Sequence, residues 1–186
     1  WNLNGVVSLT QTTVRNNTAY EGGGVNTYGN AVEMNGVNVA GNVATGSHGG
    51  GIYHGGGTLF IDNATISGNS ANATAANGGG IYQNADDNLT LTNVTLAKNT
   101  AGNFGGGLYH YGRYAVLTNV TIADNTAGVA GDALYEESPM SAENPGVIQI
   151  ANSVILGSAN NCGGGLFDSL GHNISRGACP ALSAAS

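Results

Sequence analysis

Short runs of alternating apolar and polar residues recur along this chain, and each leads to a tripeptide of the Asn-Thr-Ala type. Taking that asparagine as a register mark places units at Asn17, Asn42, Asn69, Asn99 and Asn125, spaced by 25, 27, 30 and 26 residues, with a degenerate sixth at Ser158. Three residues before the mark stand Val14, Val39, Ile66, Leu96, Ile122 and Ile155. Eight before it stand Leu9, Met34, Ile61, Leu91, Leu117 and Ile150, and ten before it Val7, Val32, Leu59, Leu89, Ala115 and Ile148. All eighteen are apolar in a chain that is 41% hydrophobic, which marks the columns as design rather than chance. The alternation has a period of two, so these are strands and not helices. The second run is out of phase with the first, which requires a bend six residues before the mark, at Gln11, Gly36, Asn63, Asn93, Asn119 and Asn152. Asparagine and glycine tolerate the left-handed backbone that such a corner needs.

After the mark the pattern predicts a short variable turn, then glycine triplets at 22–24, 49–51, 78–80, 105–107 and 163–165. A third inward aliphatic position follows, at Val25, Ile52, Ile81, Leu108, Leu134 and Leu166. A unit of about 27 residues with three short strands cannot bury its own apolar side, but units stacked about 4.8 Å apart share a continuous core. The expected fold is therefore all-β: a right-handed, single-stranded parallel β-helix of about six coils with three short strands per coil, forming one domain over 1–186. The glycine triplets read as a packing seam where successive coils approach without Cβ interference. A phosphate-binding loop is a poor alternative, since no Lys follows, no helix opens, and the triplet recurs.

The "GGGIY" (49–53) and "LTNVTLAKNTA" (91–101) units resemble those of bacterial secreted parallel β-helix repeat proteins of the pectin-lyase-like superfamily. They are also similar to the glycine-rich half of the repeats in polymorphic outer-membrane proteins, without the companion F-x-x-N motif. The ending "NCGGGLFDSLGHNISRGAC" (161–179) resembles the last coil of secreted repeat proteins that often carry an N-terminal CSLREA element, which is not found here. The resemblance implies an exported, extracellular or cell-surface protein with a structural or adhesive role. In an exported chain the two cysteines, Cys162 and Cys179, most simply pair as one disulfide that staples the last coil, 158–186. Free thiols in a reducing compartment are the alternative.

Composition narrows the partners. Only four of 186 residues are Lys or Arg, against eleven Asp or Glu, which excludes a nucleic-acid surface. No run of 18 apolar residues exists, so no transmembrane helix is expected, and the start at Trp1 reads as a mature or trimmed product. Neither a cofactor nor a metal site is expected. His54 and His110 share a column, but Gln83 stands between them and Glu136 beyond, which is too far apart for one ion. Asp62, Asp124 and Asp132 fall in separate units, Asp86 and Asp87 lie at a corner, and the acidic insertion 135–146 reads as a solvated excursion.

The most suggestive surface feature is an aromatic column: Tyr53, Tyr82, Tyr109 and Tyr135, begun by Asn26 and continued by Phe167. One residue past an inward aliphatic, these rings should point outward as a ladder suited to stacking on sugars or a protein, or on one another. A second outward ladder is expected at Thr13, Asn38, Thr65, Thr95 and Thr121. Sequons not already explained as corners give possible glycosylation at Asn16, Asn72, Asn88 and Asn173. Two functions are therefore expected in competition. One is an exported structural or adhesive element that self-associates head to tail. The other is a β-helix that binds or cleaves a surface polysaccharide along the tyrosine face.

Overall fold

The computed structural model describes residues 6–29, 31–84, 87–137, 146–179 and 182. It is an all-β parallel solenoid of about five turns, with three parallel sheets and no helix among the described residues. The predicted columns are the pairing register. Leu91 pairs with Ile61 on one side and Leu117 on the other, and Leu117 with Ile150. Leu96 lies between Ile66 and Ile122, while Ile52, Ile81, Leu108 and Leu134 follow one another in the third sheet. These side chains are 1% exposed or less and form one core along the axis. Each contributes roughly 1.5–3 kcal/mol of burial, and none could do so within its own turn.

The corner six residues before the mark is built as expected. Gln11, Asn63, Asn93, Asn119 and Asn152 all have φ between 49° and 57°, and Gly36 has 66°. The asparagines also stack: Asn93 Nδ2 donates to Asn63 Oδ1 and Asn119 Nδ2 to Asn93 Oδ1, each at 3.2 Å. In Thr58–Ser67 and Leu89–Ala97 the strand continues through this corner, which joins the rows on either side into one twelve-stranded sheet.

Two expectations about the coil are corrected. The segment after the mark is not a variable turn. It forms a five-stranded sheet of dipeptides, Thr18–Ala19, Val43–Ala44, Ser70–Ala71, Thr100–Ala101 and Thr126–Ala127, whose alanines face inward. The sixth unit also departs from the repeat. Cys162, not Leu166, pairs with Leu134 in the third sheet, and Leu166–Ser169 already belongs to the next turn, pairing with Val147–Ile150. Ser158 forms no sixth rung; its hydroxyl donates to the Asp132 carboxylate. The glycines 163–165 therefore lie outside the seam.

The other triplets are a seam in the expected sense. A Cβ on Gly23 or Gly50 would come within 2.4 Å of the carbonyl oxygen of the next coil's glycine, and one on Gly79 within 2.5 Å of Thr100 backbone atoms. Real Cβ atoms do not approach that closely, so the middle position of these four triplets admits only glycine, while the fifth coil carries Asp132 at the equivalent place.

Candidate functional site

The register asparagines point inward. Asn42, Asn69 and Asn99 are 1% exposed or less, and each is held by the coils above and below. Asn69 is typical: its Nδ2 donates to Val39 O at 2.9 Å and to Asn99 Oδ1 at 3.0 Å, while its Oδ1 accepts the backbone N–H and the Nδ2–H of Asn42, both at 3.0 Å. Both amide protons and both acceptor sites are thereby used. The same pattern links Asn17, Asn42, Asn69, Asn99 and Asn125. The third glycine of the four seam triplets, Gly24, Gly51, Gly80 and Gly107, packs on this ladder, its would-be Cβ 2.8–3.3 Å from the asparagine side chain.

The aromatic column stands where it was expected, outside the aliphatic core, with Asn26, Tyr53, Tyr82, Tyr109 and Tyr135 in register. Its exposure is not as expected. Tyr53, Tyr82 and Tyr109 are only 7%, 8% and 4% exposed, because the rings stack on one another at 4.9–5.7 Å and the loops before the glycine triplets fold over them. His48 lies flat on Tyr82 at 4.3 Å, Phe104 on Tyr135 at 4.3 Å, and Tyr28 tilts against Tyr53 at 5.2 Å. The cover is itself tied down: Asn77 N–H donates to His48 Nδ1 at 2.9 Å, and Phe104 N–H to Asn77 Oδ1 at 3.1 Å. Burial pushes the His48 pKa below the usual imidazole value and the Tyr82 phenol well above its own. Phe167 is not part of the column; it pairs with Ile148 in the first sheet, and Gly163 follows Tyr135.

One residue further on, a polar column runs inside the coil. Thr27, His54, Gln83, His110 and Glu136 are in register and buried, the last four completely. His54 Nε2 lies 2.8 Å from Gly57 O, which can only accept, so Nε2 carries the proton and Nδ1 accepts from the Thr27 hydroxyl at 2.9 Å. Burial pushes the His54 pKa down, partly opposed by the bond to Gly57 and by the Asp87 charge. His110 Nδ1 meets Glu136 Oε2 as a buried pair. No three His, Cys, Asp or Glu side chains converge among the described residues. This column was legible as a repeat position, but nothing in the residue types signalled that it faces inward.

Cys162 and Cys179 are disulfide-bonded with Cα atoms 4.9 Å apart, and Cys179 and Leu182 are buried against the last coil. Among the sequons, Asn16, Asn72 and Asn88 are exposed. Asn173 is half-buried and engaged: its Nδ2 donates to Ile150 O and Ser169 Oγ, and its Oδ1 accepts from Ser153 N. Asp124 is exposed and Asp132 buried, while Asp86 and residues 138–145 of the acidic insertion lie outside the described residues. The threonine-rich row Thr13, Asn38, Thr65, Thr95 and Thr121 is in register on the outer face as expected.

Two hollows remain. A groove of about 670 Å³ runs across the outer face of the first sheet from Ser8 to Thr92. At its centre is Phe60, 43% exposed, between Glu33 and Thr90 in one row, with Asn35, Asp62 and Thr92 in the next. A second, of about 300 Å³, opens at the first turn, between Val7, Leu9, Val14 and Val25. Comparison with known protein families, with curated proteins and with solved structures returns no match for this chain.

Proposed function

We propose that this chain is an exported structural element that extends by end-to-end stacking of its coils, presenting its outer walls as a contact or adhesive surface. The observation that carries this reading is the first turn. Val7, Leu9, Val14 and Val25 point inward there, yet are only half-buried around the hollow. The strands Val7–Thr10, Thr13–Arg15, Thr18–Ala19 and Val25–Thr27 each pair on one side only among the described residues. An open parallel edge with an apolar floor fits another coil of the same kind. At the opposite end Leu166–Ser169 and Ile174–Arg176 also pair on one side only among the described residues, and Leu166, Leu170 and Ile174 are more than half exposed. Joining first turn to last is a head-to-tail contact, which propagates instead of closing. The disulfide supports an oxidising, extracytoplasmic compartment.

The polysaccharide reading attached to Tyr53, Tyr82, Tyr109 and Tyr135 has less support, because a sugar could reach those rings only by displacing His48 and Phe104. Sedimentation and electron microscopy over a concentration series test the proposal. The expected result is elongated species that grow with concentration and shift toward monomer in Leu9→Glu and in Ile174→Lys, the latter at an exposed position where the change should leave the melting curve as it is in the wild type. A wild-type chain that stays monomeric at every concentration overturns it.

A further inference from the structure

The groove on the first sheet sets one exposed aromatic ring among polar and acidic side chains. Phe60 is a large apolar ring left 43% exposed on a strand whose other outward neighbours are polar. Glu33 and Thr90 flank it at strand spacing, about 4.8 Å on either side, and Asp62 follows two residues along the same strand. Asp62 does not swing freely: Asn63 Nδ2 donates to its carboxylate at 2.8 Å, with Asn93 and Asn35 at 3.4 and 3.5 Å. An exposed ring face bordered by hydroxyl, amide and carboxylate groups is the chemistry that takes a pyranose, its C–H face on the ring and its hydroxyls on the rim. Charge selects the kind of sugar. Two carboxylates line the groove, while Arg15, Lys98, Arg113 and Arg176 all lie outside it. An acidic polysaccharide would be repelled, and a protonated amino sugar would be attracted.

We propose that the groove over Glu33, Phe60, Asp62 and Thr90 binds glycan chains whose sugars carry free amino groups, Phe60 stacking on one ring while Glu33 and Asp62 pair with the flanking ammonium groups. This is independent of end-to-end assembly and of the buried tyrosines.

The test is an NMR titration of the folded chain with short glucosamine oligomers, alongside fully N-acetylated oligomers of the same length and oligolysine. Shift changes are expected at Glu33, Phe60, Asp62 and Thr90, with a Kd on the order of millimolar. Phe60→Ala should weaken binding about three- to tenfold, and Glu33→Gln roughly two- to fivefold. Both residues are exposed, so the variants should keep the wild-type melting curve. N-acetylated oligomers should bind more weakly and be insensitive to Glu33→Gln. Equal binding of the acetylated oligomers, oligolysine binding that is as strong and indifferent to Phe60→Ala, or no shift changes in the groove would each overturn the proposal.

Discussion

Replacing Asn69 with leucine keeps the branched shape of the side chain and removes its polar atoms. Four hydrogen bonds are lost: two donated by Nδ2, to Val39 O and Asn99 Oδ1, and two accepted by Oδ1 from Asn42. Asn99 Oδ1 keeps the backbone N–H of residue 69, and Asn42 Nδ2 keeps Val14 O. The Asn42 N–H and the Val39 carbonyl lose the bonds that Asn69 supplied, in a part of the coil that water does not reach. At about 1–3 kcal/mol for each buried group left unmet, offset by the apolar gain of leucine, the expected loss is roughly 3–5 kcal/mol. The matched control is Asn17→Leu at the exposed first rung, where only the Nδ2 bond to Asn42 Oδ1 disappears and the backbone bond to the same atom remains. That change should cost about 1 kcal/mol or less. Urea unfolding followed by far-UV circular dichroism measures both. Because a solenoid's stability is a sum over neighbouring turns, Asn69→Leu should also lower the m-value or split the transition as the two halves uncouple. If Asn69→Leu and Asn17→Leu differ by less than about 0.5 kcal/mol, the ladder does not hold the turns together and the argument fails.

Gly79→Ala should abolish folding or lower stability by about 3 kcal/mol or more, because its new methyl group would meet Thr100 backbone atoms at 2.5 Å and Gly106 O at 2.6 Å, neither of which can yield without separating two turns; a thermal melt close to wild type would contradict the seam. His54 supplies a pH signature. Its pKa is depressed in the folded state relative to the ordinary value of 6.5, so unfolded chains bind the proton more readily. The stability tied to its neutral form is thus fully present above about pH 6.5 and is lost as pH falls toward and through the folded value, at up to about 1.4 kcal/mol per pH unit. His54→Gln should flatten that limb in denaturant melts taken across the acid range, and an unchanged slope would assign the acid sensitivity elsewhere.

Much of the architecture was legible because a solenoid repeats its inward positions, and an aliphatic column such as Leu59, Leu89, Ala115 and Ile148 has one explanation. The asparagine corner was legible too, since residue type and backbone geometry are tightly linked there. What escaped reading was the sense of the polar columns. Asn42, Asn69 and Asn99 recur as faithfully as the leucines, and that constancy was the available signal that they are buried, but polarity favours an exposed assignment until the stacked partners are seen. The tyrosines were placed on the right side of the strand and judged open, because loop cover by His48 and Phe104 depends on chain paths outside the repeat. The last turn was misread at Leu166 and Phe167 for a related reason. Its glycines copy the triplet while the chain around Cys162 takes a shorter route.

The sequence Thr27, His54, Gln83, His110, Glu136 differs from the other buried columns in having no two neighbours alike. Aliphatic, glycine and asparagine contacts would survive if one turn slid past another by a whole unit, since each would meet its twin. Among the buried columns this one would be scrambled, setting the Glu136 carboxylate against Gln83 and His110 against His54, deep inside where a mismatch cannot be hydrated. A molecule assembled from interchangeable rungs thus carries an address for each one, and its order of winding is written on the inside.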